Sequence, residues 1–141
     1  MPNVNGISET ALYVDNINRS VKFYETIFNF EVMQTEERLA ALNIKKGQVL
    51  LLFKKGGSVE PLKTPGGIIP PSDCKGESHL AFSVTKAELG EWEKWLLENN
   101  VQIESRVRWD RGGESIYFRD PDKHSIELVS PGTWPNYLIG T

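Results

Sequence analysis

The chain has 141 residues, 39% of them hydrophobic and 25% charged, with a net charge of −3. This is the composition of an ordinary globular domain with enough apolar material for a core, and it excludes disordered and collagen-like classes. Lys and Arg are spread evenly, with no basic stripe for a phosphate backbone, and the longest apolar run, Val49 to Phe53, is far short of a bilayer span, so neither nucleic acid nor membrane is an expected partner. Met1 to Asn5 lack the charged start and apolar stretch of a secretory signal, and the single cysteine, Cys74, cannot close an internal disulfide. The expected location is a reducing cytoplasm.

In chain order, Ser8 to Val14 (SETALYV) alternates as a half-buried strand, and Asp15 and Asn16 are capping residues for a helix with apolar positions at Ile17, Val21, Tyr24 and Phe28. Asn29 leads into a short strand, Phe30 to Met33. Strands are then expected over Ala40 to Ile44 and Gln48 to Lys54, joined by the Lys45-Lys46-Gly47 turn. Residues 56 to 76, rich in Gly and Pro, read as a linker, either a plain connector or a functional arm.

About 70 residues after the first strand its pattern returns as Ser78-His79-Leu80-Ala81-Phe82-Ser83-Val84, and internal repeats of this kind change the meaning of every residue in them. Thr85-Lys86-Ala87-Glu88 is a capping box, and Leu89, Trp92 and Leu96 form the apolar stripe behind it. Strand-like segments follow over Val101 to Ile103, Glu104 to Trp109, Ser115 to Arg119 and Ser125 to Val129. The organisation is α+β: two β-α-β-β-β modules, 5–55 and 77–131, with a linker at 56–76 and a tail at 132–141.

Strand parity separates the side chains that pack on a helix from those on the opposite face. Leu12 and Val14, Leu80 and Phe82, and Ile126 and Leu128 form the helix side, so Glu9, His79 and Glu127 fall on the other face. One histidine and two carboxylates on separate strands are a ligand set for a divalent cation such as Zn, Mn, Ni or Fe; each residue alone is more often part of a solvated strand face, and it is their joint placement that argues for a site.

The passages from Val14 to Tyr24, Ser78 to Val84, and Tyr117 to Leu128 with Phe118-Arg119-Asp120-Pro121-Asp122 at its turn resemble the vicinal oxygen chelate superfamily (glyoxalase, bleomycin resistance protein and extradiol dioxygenase) across nearly the whole chain. The resemblance implies a single glyoxalase-like domain in which the two modules curve a mixed sheet around a cavity with the helices outside, in a homodimer. It also implies that Glu9, His79 and Glu127 are the metal positions, the same residues that parity selects. Most metal-binding members carry His where Glu9 stands, and the glyoxalase I branch has a further Glu near the place of Leu51. The apolar residue at Leu51 disfavours glyoxalase I proper, Glu9 can still ligate but makes the ion a weaker Lewis acid, and the lack of a second site histidine disfavours dioxygenase chemistry. His124 reads as a surface turn residue.

By parity Tyr13, Phe53, Tyr117 and Arg119 share the candidate cavity face, where aromatics and a cation suit a small anionic or carbonyl-bearing substrate. Tyr13 and Phe53 are equally cavity packing, and Arg119 has Asp120 and Asp122 as possible partners. Trp109 and Arg111 stand either at the cleft mouth or on an Arg-rich protective edge. Two functions fit. One is a metal-dependent lyase, isomerase or thiol-addition enzyme in which Glu9 and Glu127 also act on protons; the other is a metal-free ligand-sequestering protein.

Overall fold

The computed structural model describes residues 1–140. They form two compact units, Met1–Gly76 and the residues from Glu77 onward, each with its own sheet. Both are β-α-β-β-β, so the α+β class and the repeat read from the sequence hold.

The first unit runs through β1 (Glu9–Val14), α1 (Ile17–Phe28), β2 (Glu31–Thr35), β3 (Leu39–Lys45) and β4 (Gln48–Lys54). Its sheet order is β1-β4-β3-β2, with β1 parallel to β4 and the remaining pairs antiparallel. A parallel pair needs a long crossover, and here α1 and the two strands after it supply the intervening chain. The Asn16 side chain accepts the Arg19 N–H at 2.9 Å and so satisfies a donor that the first helical turn leaves open. Asn29 ends the helix in the left-handed conformation, φ 56°, which Asn tolerates better than most residues. Leu12, Val14, Tyr24, Ile27, Leu42, Leu50 and Leu52 are all buried, which places the core on the helix face, as the alternation requires.

The linker is more than a bare connector. Within it Leu62–Thr64 (β5) and Gly67–Ile69 (β6) form a small antiparallel hairpin. Both ends of the segment are tied to the rest of the first unit, with Arg38 Nη1 donating to the Gly57 carbonyl at 2.8 Å and the Tyr13 hydroxyl bonding to Ser72, and the Gly56 N–H closes the segment on the Asp73 carboxylate at 3.0 Å.

The second unit contains β7 (His79–Ser83), a 3-10 turn (Lys86–Glu88), α2 (Leu89–Glu98), β8 (Ile103–Arg108), β9 (Glu114–Arg119) and β10 (Ser125–Val129), in sheet order β7-β10-β9-β8. The capping box is present, with both the Thr85 N–H and the Thr85 hydroxyl donating to the Glu88 carboxylate. Those bonds favour the ionised form and hold the Glu88 carboxyl below its usual range. The two strands expected over 101–103 and 104–109 are one, β8. Asn100 turns to φ 59° and the Val101 N–H closes on the Leu96 carbonyl at 2.8 Å, so Val101 belongs to the helix ending and strand geometry begins at Ile103. Leu89, Leu96, Ile116, Phe118, Ile126 and Leu128 are the buried apolar set on the helix side.

His124 is not a surface turn residue; it is 1% exposed. Its Nδ1 accepts the Ser78 N–H at 2.8 Å, while Asp120 Oδ1 accepts the N–H groups of Asp122 and His124. The Asp120–His124 turn therefore organises itself around an aspartate. Its histidine then ties the turn to the residue preceding β7. Turn composition suggests exposure, but a neutral imidazole with hydrogen-bond partners is readily buried.

Gly113 packs directly on Gly132 and Thr133, where no Cβ fits without collision with the Thr133 backbone and side chain. Gly113→Ala is expected to cost about 2 to 3 kcal/mol, the upper part of the range for overpacking, because the opposing atoms are mainly backbone. Equilibrium urea unfolding of the variant beside the parent chain measures it.

Candidate functional site

The chemistry-bearing groups of the second unit meet on the sheet face turned away from α2. In the parallel pairing of β7 and β10, His79 stands opposite Ser125, so Glu127, two residues further on, shares its face. In the antiparallel pairing of β10 and β9, Tyr117 stands directly opposite Glu127 and Ser115 opposite Val129. Ser115, Tyr117 and Arg119 thus share the face of Glu127, with Ile116 and Phe118 on the other side.

His79 Nε2 lies 3.1 Å from Glu127 Oε2. The other ring nitrogen, Nδ1, lies 2.9 Å from the Ser125 carbonyl oxygen, which only accepts, so Nδ1 carries a proton. In the neutral imidazole Nε2 then presents a lone pair to a carboxylate oxygen. Two acceptors at that separation require a positive charge between them, either a proton or a cation. A backbone carbonyl that fixes the imidazole tautomer is also the usual support of a metal-ligating histidine.

Glu127 is 7% exposed, and its other oxygen is equally committed. Ser115 Oγ donates to Glu127 Oε1 at 2.6 Å, and Trp109 Nε1 donates to Ser115 Oγ at 2.8 Å. The ring of Tyr117 lies over that of His79, with centroids 6.2 Å apart. Burial first, then the charge of Glu127 and a hydrogen bond to it, push the Tyr117 phenol above its ordinary value of 10.0, against a smaller opposing effect of Ser115. Tyr117 is therefore a neutral hydrogen-bond donor at physiological pH.

The remaining candidates fall elsewhere. The guanidinium of Arg119 donates from Nε to Glu104 Oε2 at 2.6 Å, from Nη2 to Glu104 Oε1 at 3.1 Å and from Nη1 to the Lys123 carbonyl at 2.9 Å, with Glu77 at 3.6 Å. Its partners are these carboxylates, not Asp120 or Asp122. Arg111 is exposed in the β8–β9 turn, and Cys74 is exposed in the linker. In the first unit, Glu9 is exposed at the start of the edge strand β1, where it pairs with Val49, and Leu51 lies opposite Ala11. Tyr13 stacks on Phe53 at 5.4 Å and gives its hydroxyl to Ser72. Within the second unit, among the described residues, no third His, Cys, Asp or Glu joins His79 and Glu127 in a metal-holding group. The donors present fit a divalent cation, since they are one tautomer-fixed imidazole nitrogen and one oriented carboxylate oxygen.

Ser115 is the residue that the sequence reading did not single out. Its position in β9, in step with Tyr117 and opposite in parity to Ile116 and Phe118, was the available signal.

A sheet of this order, carrying a histidine on the first strand and a glutamate on the last strand of the second unit, defines a class. The chain belongs to the glyoxalase/bleomycin resistance protein/dioxygenase superfamily, the vicinal oxygen chelate group, whose family model matches residues 6–128. Within that superfamily it is similar to the metallothiol transferase FosB of Staphylococcus haemolyticus, 32% identical over 127 residues that make up 89% of this chain and 83% of the relative. The FosB of Shouchella clausii is 31% identical over 127 residues, 89% of this chain and 80% of the relative. The crystal structure of lactoylglutathione lyase from Agrobacterium tumefaciens superposes with a TM-score of 0.87 at 29% identity, covering 95% of this chain and 99% of that one.

The upward shift of Tyr117 has a definite sign. A phenol that binds its proton more tightly when folded adds stability that is fully present below about pH 10 and is lost as pH rises through the higher folded value. Absorbance titration of the parent chain against Tyr117→Phe is expected to show one tyrosine ionising above the ordinary range. Glu127→Gln should bring that step part of the way down, because burial remains when the charge is gone.

Proposed function

We propose that the protein is a divalent-metal-dependent enzyme that adds a thiol to a small electrophile bearing a carbonyl or anionic group. The observation that carries this reading is the His79 Nε2–Glu127 Oε2 contact at 3.1 Å, with Nδ1 already committed to the Ser125 carbonyl, because it leaves two acceptors aimed at one point. The similar proteins favour thiol chemistry: a metallothiol transferase and a lactoylglutathione lyase. The apolar residue at Leu51 supports a reaction other than that of glyoxalase I.

His79 and Glu127 hold the metal in this reading, and the resemblance makes Glu9 the third ligand. Two carboxylates and a neutral imidazole balance the charge of a divalent ion, which gives a milder Lewis acid than a histidine-rich set. When bound, the cation supplies positive charge for an oxyanion that develops on the electrophile. The rest is the work of the chain. The thiol proton passes to a site carboxylate, and sulfur bonds to the electrophilic carbon. The π pair of the carbonyl carbon–oxygen bond moves onto oxygen, which is then reprotonated. The Tyr117 phenol keeps its proton at neutral pH and so does not act as the base. A cytoplasmic location agrees with this reading, since low-molecular-weight thiols are held reduced there, and the homodimer rests on the family resemblance.

Metal analysis of protein purified without chelator is expected to find a divalent ion at near one per chain, and chelation to abolish consumption of a thiol such as glutathione with small electrophiles. Glu127→Gln and His79→Ala should each weaken Mn²⁺ binding by more than the roughly 10- to 100-fold seen on loss of an outer-shell partner. Absence of metal from the parent protein together with failure to bind Mn²⁺ on titration overturns the reading, and favours a ligand-sequestering protein instead.

A further inference from the structure

Trp109 was a candidate substrate contact, yet the structure gives its polar atom another task. The indole Nε1 is a donor only, and it meets Ser115 Oγ at 2.8 Å. A serine hydroxyl has one proton and accepts through its lone pairs. With the indole on an accepting side of Oγ, the serine proton is directed to Glu127 Oε1 at 2.6 Å, in a bond strengthened by the carboxylate charge. Of the two Glu127 oxygens, one is thereby held by Ser115 and the other left toward His79 Nε2.

The start of this relay is well anchored. Trp109 occupies the turn between β8 and β9, where its N–H donates to the Gly113 carbonyl at 2.8 Å and its carbonyl accepts the Gly112 N–H at 2.8 Å. Lys86 Nζ donates to the Gly112 carbonyl at 3.1 Å and pairs with Glu114 at 3.2 Å. Gly113 in turn is packed against Gly132 and Thr133. The indole N–H is thus presented from a turn held on three sides. At its far end Ser115 is 1% exposed, so little water competes for its hydroxyl.

We propose that Trp109 and Ser115 are positioning residues that act in series to orient the Glu127 carboxylate, with Trp109 acting only through the Ser115 hydroxyl. The proposal rests on the reading of Glu127 as a metal ligand, but the relay is also observable without metal. Neither residue touches the reacting atoms. Their effect is to remove the freedom that Glu127 would otherwise lose on binding a cation.

The test is a double-mutant cycle on Mn²⁺ affinity, read by the electron paramagnetic resonance of free Mn²⁺, with urea midpoints recorded for each variant. Ser115→Ala should weaken Mn²⁺ binding by roughly 10- to 100-fold. Trp109→Phe keeps the ring and loses the N–H, and should weaken it by roughly 2- to 10-fold, the worth of one neutral hydrogen bond. In the Ser115→Ala background Trp109→Phe should have no further effect. Equal factors in both backgrounds, or no effect of Trp109→Phe on the parent, overturn the series arrangement. In metal-free protein, the Trp109 indole proton should exchange slowly with solvent and exchange faster in Ser115→Ala. If that holds while the parent binds no Mn²⁺, the relay stands and the metal reading fails; an unprotected indole proton, insensitive to Ser115→Ala, overturns the relay whatever the metal result.

Discussion

The contact between His79 and Glu127 is set by a backbone carbonyl. Because β7 and β10 pair in parallel with His79 opposite Ser125, the Ser125 carbonyl lies within 2.9 Å of Nδ1 and fixes the tautomer. The lone pair of Nε2 is then turned on Glu127, which the two-residue period of β10 puts on the same face. A one-residue slip of either strand would send one of the two side chains into the core beneath α2. Ile126 and Leu128, both fully buried, oppose such a slip, so the apolar packing of one face secures the polar geometry of the other.

The surroundings of Glu127 follow from the same constraint. A carboxylate only 7% exposed needs donors, and the sheet supplies them from the neighbouring strand, Ser115 directly and Trp109 behind it. Tyr117, in register with Glu127, pays for that neighbour by holding its own proton more tightly. Arg119, next along the same face, is turned instead to Glu104 and Glu77. A cation and a carboxylate on one strand face thus have separate partners, which leaves Glu127 oriented toward His79.

Much of the fold was legible because it depends on short-range periodicity. The repeat of SETALYV in SHLAFSV, the cap at Asn16, the capping box at Thr85 and the parity of Ile126-Glu127-Leu128 are all local signals, and each has its counterpart in the structure. The misreadings have a common origin. Val101 reads as the start of a strand after Asn99-Asn100, but its N–H is claimed by the preceding helix. His124 reads as a surface residue from its place in the Asp120-Pro121-Asp122-Lys123-His124 turn, but its ring accepts the Ser78 N–H, 46 residues away. The linker hairpin was hidden among glycines and prolines, and its anchoring depends on Tyr13 and Asp73.

The sequence by itself determined the superfamily, the doubled module and the face on which His79 and Glu127 lie, since alternation and helical spacing are properties of neighbouring residues. Tertiary structure alone decided which nitrogen of His79 is given to the Ser125 carbonyl, which oxygen of Glu127 is held by Ser115, where Trp109 sends its N–H and which carboxylates occupy Arg119. Those choices are made by hydrogen bonds of fixed direction between groups brought together by strand pairing, and no local pattern along the chain encodes the partner at the far end.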